Sequence, residues 1–128
     1  MEQGPDPGAL DLDQVADVID ARRTAWTGMG LTADRCTWLD WDSPWPRQIT
    51  TDRAATPNPR SVGVIIRNGS LAEGQLVVYA AGWADADYVR FADDDDLVTE
   101  YVEIDGPAAI EPLLDRIARH LTDRPLPA

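Results

Sequence analysis

Apolar and polar positions alternate most clearly between Ser61 and Phe91. Val62, Val64 and Ile66 alternate with Gly63, Ile65 and Arg67, a period of two with β-branched residues that predicts a strand. Asn68-Gly69 tolerates positive φ and ends it. A loop through Glu73-Gly74 is expected next, leading to 75–81. There Leu76, Val77, Val78 and Tyr79 are continuous, as in an inner strand covered on at least one side. Gly82 permits a tight reversal. The following run places Trp83, Asp85, Asp87, Val89 and Phe91 on one face, and Ala84, Ala86, Tyr88 and Arg90 on the other. Unpaired carboxylates are costly to bury, so Asp85 and Asp87 are expected to meet water or a partner.

A helical period flanks this region on both sides. Leu12, Val15, Ala16, Ile19 and Trp26 share a stripe at spacings of three, four and seven, which predicts a helix over 11–27. Asp11 and Gln14 stand as a capping pair at its start, and Gly28 and Gly30 end it. Ile110, Leu113, Leu114, Ile117, Ala118 and Leu121 predict a second amphipathic helix. Pro112 lacks an N–H, so its regular part is expected to begin near Ala109 to Glu111 after an irregular turn. Residues 35–41 form a short strand candidate with Cys36 and Trp38 on one face. Residues 97–104 form the last strand, where Glu100 shares a face with Val98, Val102 and Ile104. That requires either a place near the rim or a bulge that shifts the register. The Pro-rich stretch from Asp42 to Pro59 is a loop of the length that is often functional or mobile.

The expected order is α-β-β-β-β-β-α in a single domain, with 1–8 and 123–128 as loose tails. This is an α+β architecture: an antiparallel meander of four to five strands packed by an N-terminal and a C-terminal helix. A chain of 128 residues fits one domain.

Charge changes the picture more than composition does. There are 23 acids against 11 basic residues, all Arg, and the net charge is −12. Like-charge repulsion argues against nucleic acid and anionic membrane as partners. It favours a basic protein partner, or it simply keeps the chain dispersed. Between Trp83 and Asp105 the acids Asp85, Asp87, Asp93, Asp94, Asp95, Asp96, Glu100, Glu103 and Asp105 face Arg90 alone. No basic-then-apolar leader and no apolar run of about 18 residues is present, so a cytoplasmic location is the expectation.

Catalytic chemistry finds little support. Cys36 and His120 are single; a zinc site needs more ligands, and a thiol nucleophile needs a base beside it. His120 at a helix C-terminus suits a structural or solvated role. Neither Asp85 nor Asp93 starts a run with the glycine and glutamate of a calcium loop, and the four adjacent carboxylates read as a solvated turn. The expectation is therefore no enzyme, no metal and no cofactor. The aromatics say more. Trp26 and Trp38 read as core. Trp41 and Trp45 are interleaved with Asp40, Asp42, Ser43 and Pro44, either covering a sheet edge or serving as interface anchors.

These elements resemble small bacterial immunity proteins, in particular the TriTu immunity family. The resemblance is carried by the N-terminal helix ending near Gly28 to Leu31 and the strand with Cys36 and Trp38. It continues through the reversal GQLVVYAAGWADADYV (74–89) and the closing helix IEPLLDRIARHL. It spans about residues 15–121. The loop from Asp42 to Pro59 is longer than the family pattern, and Tyr79 stands where a Trp is expected. The resemblance implies a neutraliser of a cognate toxin without catalysis of its own, and it transfers no binding residue. The expected mechanism is occlusion of a basic toxin domain, with Asp85, Asp87, Asp93, Asp94, Asp95 and Asp96 supplying charge and Trp41 or Trp45 the apolar anchor. Two rivals stay open: a secretion or folding chaperone that dimerises through its sheet, and a small-molecule module with a pocket between sheet and helices.

Overall fold

Five antiparallel ladders join the strands into one open sheet. The computed structural model describes residues 10–92 and 96–122; the expected tails at 1–8 and 123–128 lie outside them. The elements are α1 (Leu12–Ala21), α2 (Arg23–Gly28), β1 (Thr32–Ala33), β2 (Thr37–Asp40), β3 (Pro59–Asn68), β4 (Ala72–Tyr79), β5 (Trp83–Arg90), β6 (Val98–Glu103) and α3 (Glu111–Thr122). Short 3-10 turns cover Arg53–Ala55 and Pro107–Ile110. β3 to β6 form the expected meander, and both β1 and β2 pair with the far side of β3. The α+β class is as expected, with the two-residue β1 as an additional strand.

The register explains the core. Val62 pairs with Val78, which pairs with Ala84; Val64, Leu76 and Ala86 form the next row. Every residue that β2 to β6 place in the core has an even number, from Trp38 to Tyr88. The helices pack on this face through Leu12, Val15 and Ile19 of α1 and through Leu113, Leu114, Ile117 and Leu121 of α3, all buried. No helix among the described residues covers the odd-numbered face.

Three expectations change in detail. The N-terminal helix is two helices, because Arg22 N–H bonds back to Ile19 O at 3.0 Å and tightens the last turn of α1. Arg23 then ties α2 to Asp20 and to the Ala33 and Asp34 carbonyls. The stripe survives the break, and Trp26 stays buried. The Asp11 side chain caps α1 by accepting from the N–H groups of Asp13 and Gln14. Second, Glu73 and Gly74 belong to β4, and only residues 69–71 separate it from β3. Third, β5 and β6 pair without a register shift, so Glu100 is a rim residue and no bulge displaces it. The last helix begins as expected, with a 3-10 turn over Pro107–Ile110 before α3.

Gly74 is where helix and sheet touch most closely. A β-carbon there would stand 2.7 Å from Ile117 Cγ2, 3.3 Å from Tyr88 Cβ and 3.5 Å from Leu121 Cδ1. The missing side chain lets α3 rest on the sheet backbone. Gly74→Ala is therefore expected to destabilise the fold by about 1–3 kcal/mol through overpacking. The cost should shrink when Ile117→Ala removes the clashing methyl. Urea titrations of the four members of this cycle measure the coupling; additive costs would show that the contact does not set the spacing.

Candidate functional site

The strand period that buries Ala84, Ala86 and Tyr88 sends Trp83, Asp85 and Asp87 outward. The cross-strand rows then decide what joins them. Trp83 lies between Tyr79 and Glu103, Asp85 between Val77 and Tyr101, and Asp87 between Gln75 and Thr99. Tyr79 stacks on Trp83 with centroids 4.0 Å apart and planes 16° apart, and Trp83 stacks on Tyr101 at 5.0 Å and 25°. Three rings thus stand as a ladder across β4, β5 and β6 on the uncovered face. Tyr101, at the outer end, is 64% exposed.

Among the described residues no arginine pairs with the acids around the ladder. Asp87 accepts a bond from Thr99 Oγ1 at 2.8 Å. Asp85 and Glu103 have no hydrogen-bond or ion-pair partner among the described residues. Several carboxylates elsewhere are matched to arginine: Asp13 with Arg53, Asp20 with Arg23, Asp34 and Glu73 with Arg67, Glu111 and Asp115 with Arg22. The Arg53 bond holds the Asp13 carboxyl below its ordinary range.

The expected site residues do not form one surface. Asp85 and Asp87 face outward, half-buried and exposed. Trp45 is 86% exposed in the loop after β2, and Trp41 is half-buried with the Arg60 guanidinium 4.9 Å over its ring. β3 and β4 separate β2 from β5, a span of about 14 Å at normal strand spacing. The aromatic residues that stand beside Asp85 and Asp87 are Trp83, Tyr79 and Tyr101, while Trp41 and Trp45 lie on the β2 side of the sheet. The long loop is also fastened to the body: Arg53 bonds both Asp13 oxygens, at 2.8 and 3.0 Å, and its guanidinium lies 5.0 Å over Trp38. An open cleft of about 430 Å3 in this loop is lined by Asp40, Asp42, Ser43 and Gln48 among others. The buried Asp40 carboxylate is already used there, accepting from the Asp42 and Asn58 N–H groups.

Asp93, Asp94 and Asp95 lie outside the described residues. Asp96 corrects the expectation of an acidic turn open to a partner. Its carboxylate accepts from Arg90 N–H at 2.7 Å and from the Arg90 guanidinium at 3.1 Å, and it meets His120 Nε2 at 2.6 Å. The side chain is only 8% exposed. It joins the end of β5 to the end of α3, where Tyr88 packs edge-on against the His120 ring at 5.0 Å. Beside this cluster, Glu100 accepts from Tyr88 Oη and from Arg116 Nη2 at 2.8 Å. The Arg90 bonds hold the Asp96 carboxyl well below the usual carboxylate range, and Arg116 lowers Glu100. Burial together with Glu100 pushes the Tyr88 phenol up to about 12.

His120 thus ties α3 to the Asp96 carboxylate, and Cys36 sits beside Arg23. The thiol is raised by burial, and its polar neighbour is Arg23 at 3.7 Å. Among the described residues no group of three or more His, Cys, Asp or Glu is placed to hold a metal ion. No helix among them is long and apolar enough to cross a membrane. Comparison with protein-family models, curated proteins and solved structures finds no match.

The depressed Asp96 carboxyl has a consequence for acid stability. A carboxylate with a folded-state pKa below its unfolded value stabilises the fold above the ordinary range of about pH 4. That contribution is lost as pH falls through the range toward the depressed value. Asp96→Asn is expected to flatten the loss of stability between about pH 4 and 2 relative to the parent. Urea midpoints measured across that window test this, and parallel curves for the two proteins would refute it.

Proposed function

We propose that the chain is a non-catalytic binding protein whose outer sheet face covers a basic surface of a partner protein. In this reading it serves as an immunity protein that neutralises a cognate toxin domain by occlusion. The observation that carries the binding reading is the union of the Tyr79–Trp83–Tyr101 ladder with Asp85, Asp87 and Glu103, on a face that no described helix covers. Large stacked rings offer apolar area, and their mutual packing means that little side-chain freedom is left to lose on binding. Carboxylates without arginine partners supply charge that the chain itself does not neutralise. Such charge speeds encounter with a basic partner and rejects acidic ones more than it adds affinity. The immunity role is supported by the order of elements that resembles the TriTu immunity family and by the net charge of −12.

The test is a triple reversal, Asp85→Lys, Asp87→Lys and Glu103→Lys, compared with the parent chain in capture from the native cell. A partner retained by the parent at low salt should associate roughly tenfold or more slowly with the variant. Expressed alone, the captured domain should arrest growth, and the parent chain but not the variant should restore it. Equal capture by both chains would discard the acidic-face reading. A captured partner that is harmless when expressed alone would discard the immunity role and leave the binding surface standing.

A further inference from the structure

The two edges of the sheet are finished differently. On the β2 side the chain closes its own edge. Trp38 N–H donates to Thr50 O at 2.7 Å and Thr50 N–H donates to Trp38 O at 3.0 Å. On the opposite side β6 pairs with β5 alone, and no described strand lies beyond it. The bond from Ile104 N–H to Gly82 O fixes the phase of this ladder. Successive residues of a strand turn their N–H and C=O groups to opposite sides. Val98, Glu100 and Val102 therefore bond to β5, and Thr99, Tyr101 and Glu103 point their backbone groups away from the sheet. The β6 ladder has no register shift, and the strand contains neither Pro nor Lys, devices that commonly blunt an edge.

We propose that this edge receives an extended, Arg- or Lys-bearing segment of the partner protein, which adds to the six-stranded sheet beside β6. The inference rests on the acidic-face reading and says how the partner attaches. Charge selects this occupant over a second copy of the chain. A copy of net charge −12 would bring its own Glu100, Glu103 and Asp105 against the same acids, and like charges across a strand pair are destabilising. A basic strand would instead place cations beside Glu103 and Asp85 and over the exposed face of the Tyr101 ring. Main-chain bonds to Thr99, Tyr101 and Glu103 would supply affinity, and every second side chain would supply selectivity.

The probe is a synthetic peptide of about eight residues alternating Arg with Val or Thr, with a Glu-for-Arg peptide as control. Amide hydrogen exchange followed by NMR on the full chain reads the edge directly. The basic peptide should slow exchange at Thr99, Tyr101 and Glu103 by roughly tenfold, about one hydrogen bond each, and the acidic peptide should not. Thr99→Pro removes one outward donor and leaves the backbone ladder to β5 in place; it should weaken the peptide roughly tenfold relative to Thr99→Val, which like it lacks the Oγ1 bond to Asp87 but keeps the N–H. If that variant fails to fold, the exchange pattern of the parent still decides. Peptide shifts at Trp83 and Asp85 without protection of the three amides would overturn the edge and leave the face reading intact. No binding of the basic peptide at millimolar concentration would overturn the edge as well. Equal protection by the acidic peptide would overturn both readings. Dimers that protect the same amides without peptide would replace the basic strand with a second copy.

Discussion

A strand presents two faces, and among the described residues the apolar helices cover only one of them. The sheet can carry α3 so closely because Gly74 has no side chain, between Ile66 on β3 and Tyr88 on β5, whose hydroxyl reaches Glu100 at the rim. Ala84 and Ala86 keep the adjacent rows low. Small residues on the covered face thus bring the helix down, and the bulk of β4 to β6 is displaced to the other face, where Tyr79, Trp83 and Tyr101 stand. The exposed ring ladder and the seated helix follow from one alternation. Any slip of register by one residue would exchange the rings with the alanines, which is why the outer face and the core cannot vary independently.

Charge is distributed by the same logic. The chain has arginine but no lysine, and the planar guanidinium bonds carboxylates in pairs. Arg53 takes both oxygens of Asp13, and Arg67 bridges Asp34 and Glu73. Exposed pairs of this kind contribute at most about 1 kcal/mol each. They neutralise Asp13, Asp20, Asp34, Glu73, Glu111 and Asp115, whereas no arginine pairs with Asp85, Asp87 or Glu103 on the outer face of β5 and β6 among the described residues. Asp96 and Glu100 show the alternative use of an acid. Both bind inward, to Arg90 and His120 or to Arg116 and Tyr88, and they fasten α3 to the rim of the sheet.

Periodicity made the helices, the meander and the outward course of Asp85 and Asp87 legible in the sequence. What it could not provide was the register between strands. Tyr79 and Tyr101 have no helical or motif spacing to Trp83; they meet it because Tyr79 closes the Gly82 reversal and Asp85 pairs with Tyr101. The parity of residues 79, 83 and 101 was the available signal, and it becomes informative only once the rows are aligned. Gly74 read as punctuation because glycine in a loop and glycine under a helix look alike in a sequence. Asp96 read as part of a solvated turn because its partners, Arg90 and His120, come from different elements. Trp41 and Trp45 drew attention by type and by acidic neighbours, yet two strands separate β2 from the acidic face.

The range of electrostatic forces explains why the location of these charges matters more than their number. At physiological salt a charge is felt over about 8 Å. Residues opposite or diagonal in a sheet lie within about 8 Å of one another; Asp85 stands two residues from Asp87 and diagonal to Glu103, so it lies near each of them, while Asp87 and Glu103 are about 14 Å apart along the strands. A carboxylate with a guanidinium about 3 Å away presents little net field at the same range. A basic surface brought to this face would meet Asp85, Asp87 and Glu103 with the ring ladder between and beside them. The net charge sets solubility and general repulsion; the arrangement of arginines sets direction. Adding lysines elsewhere on the surface would change the first and leave the second in place.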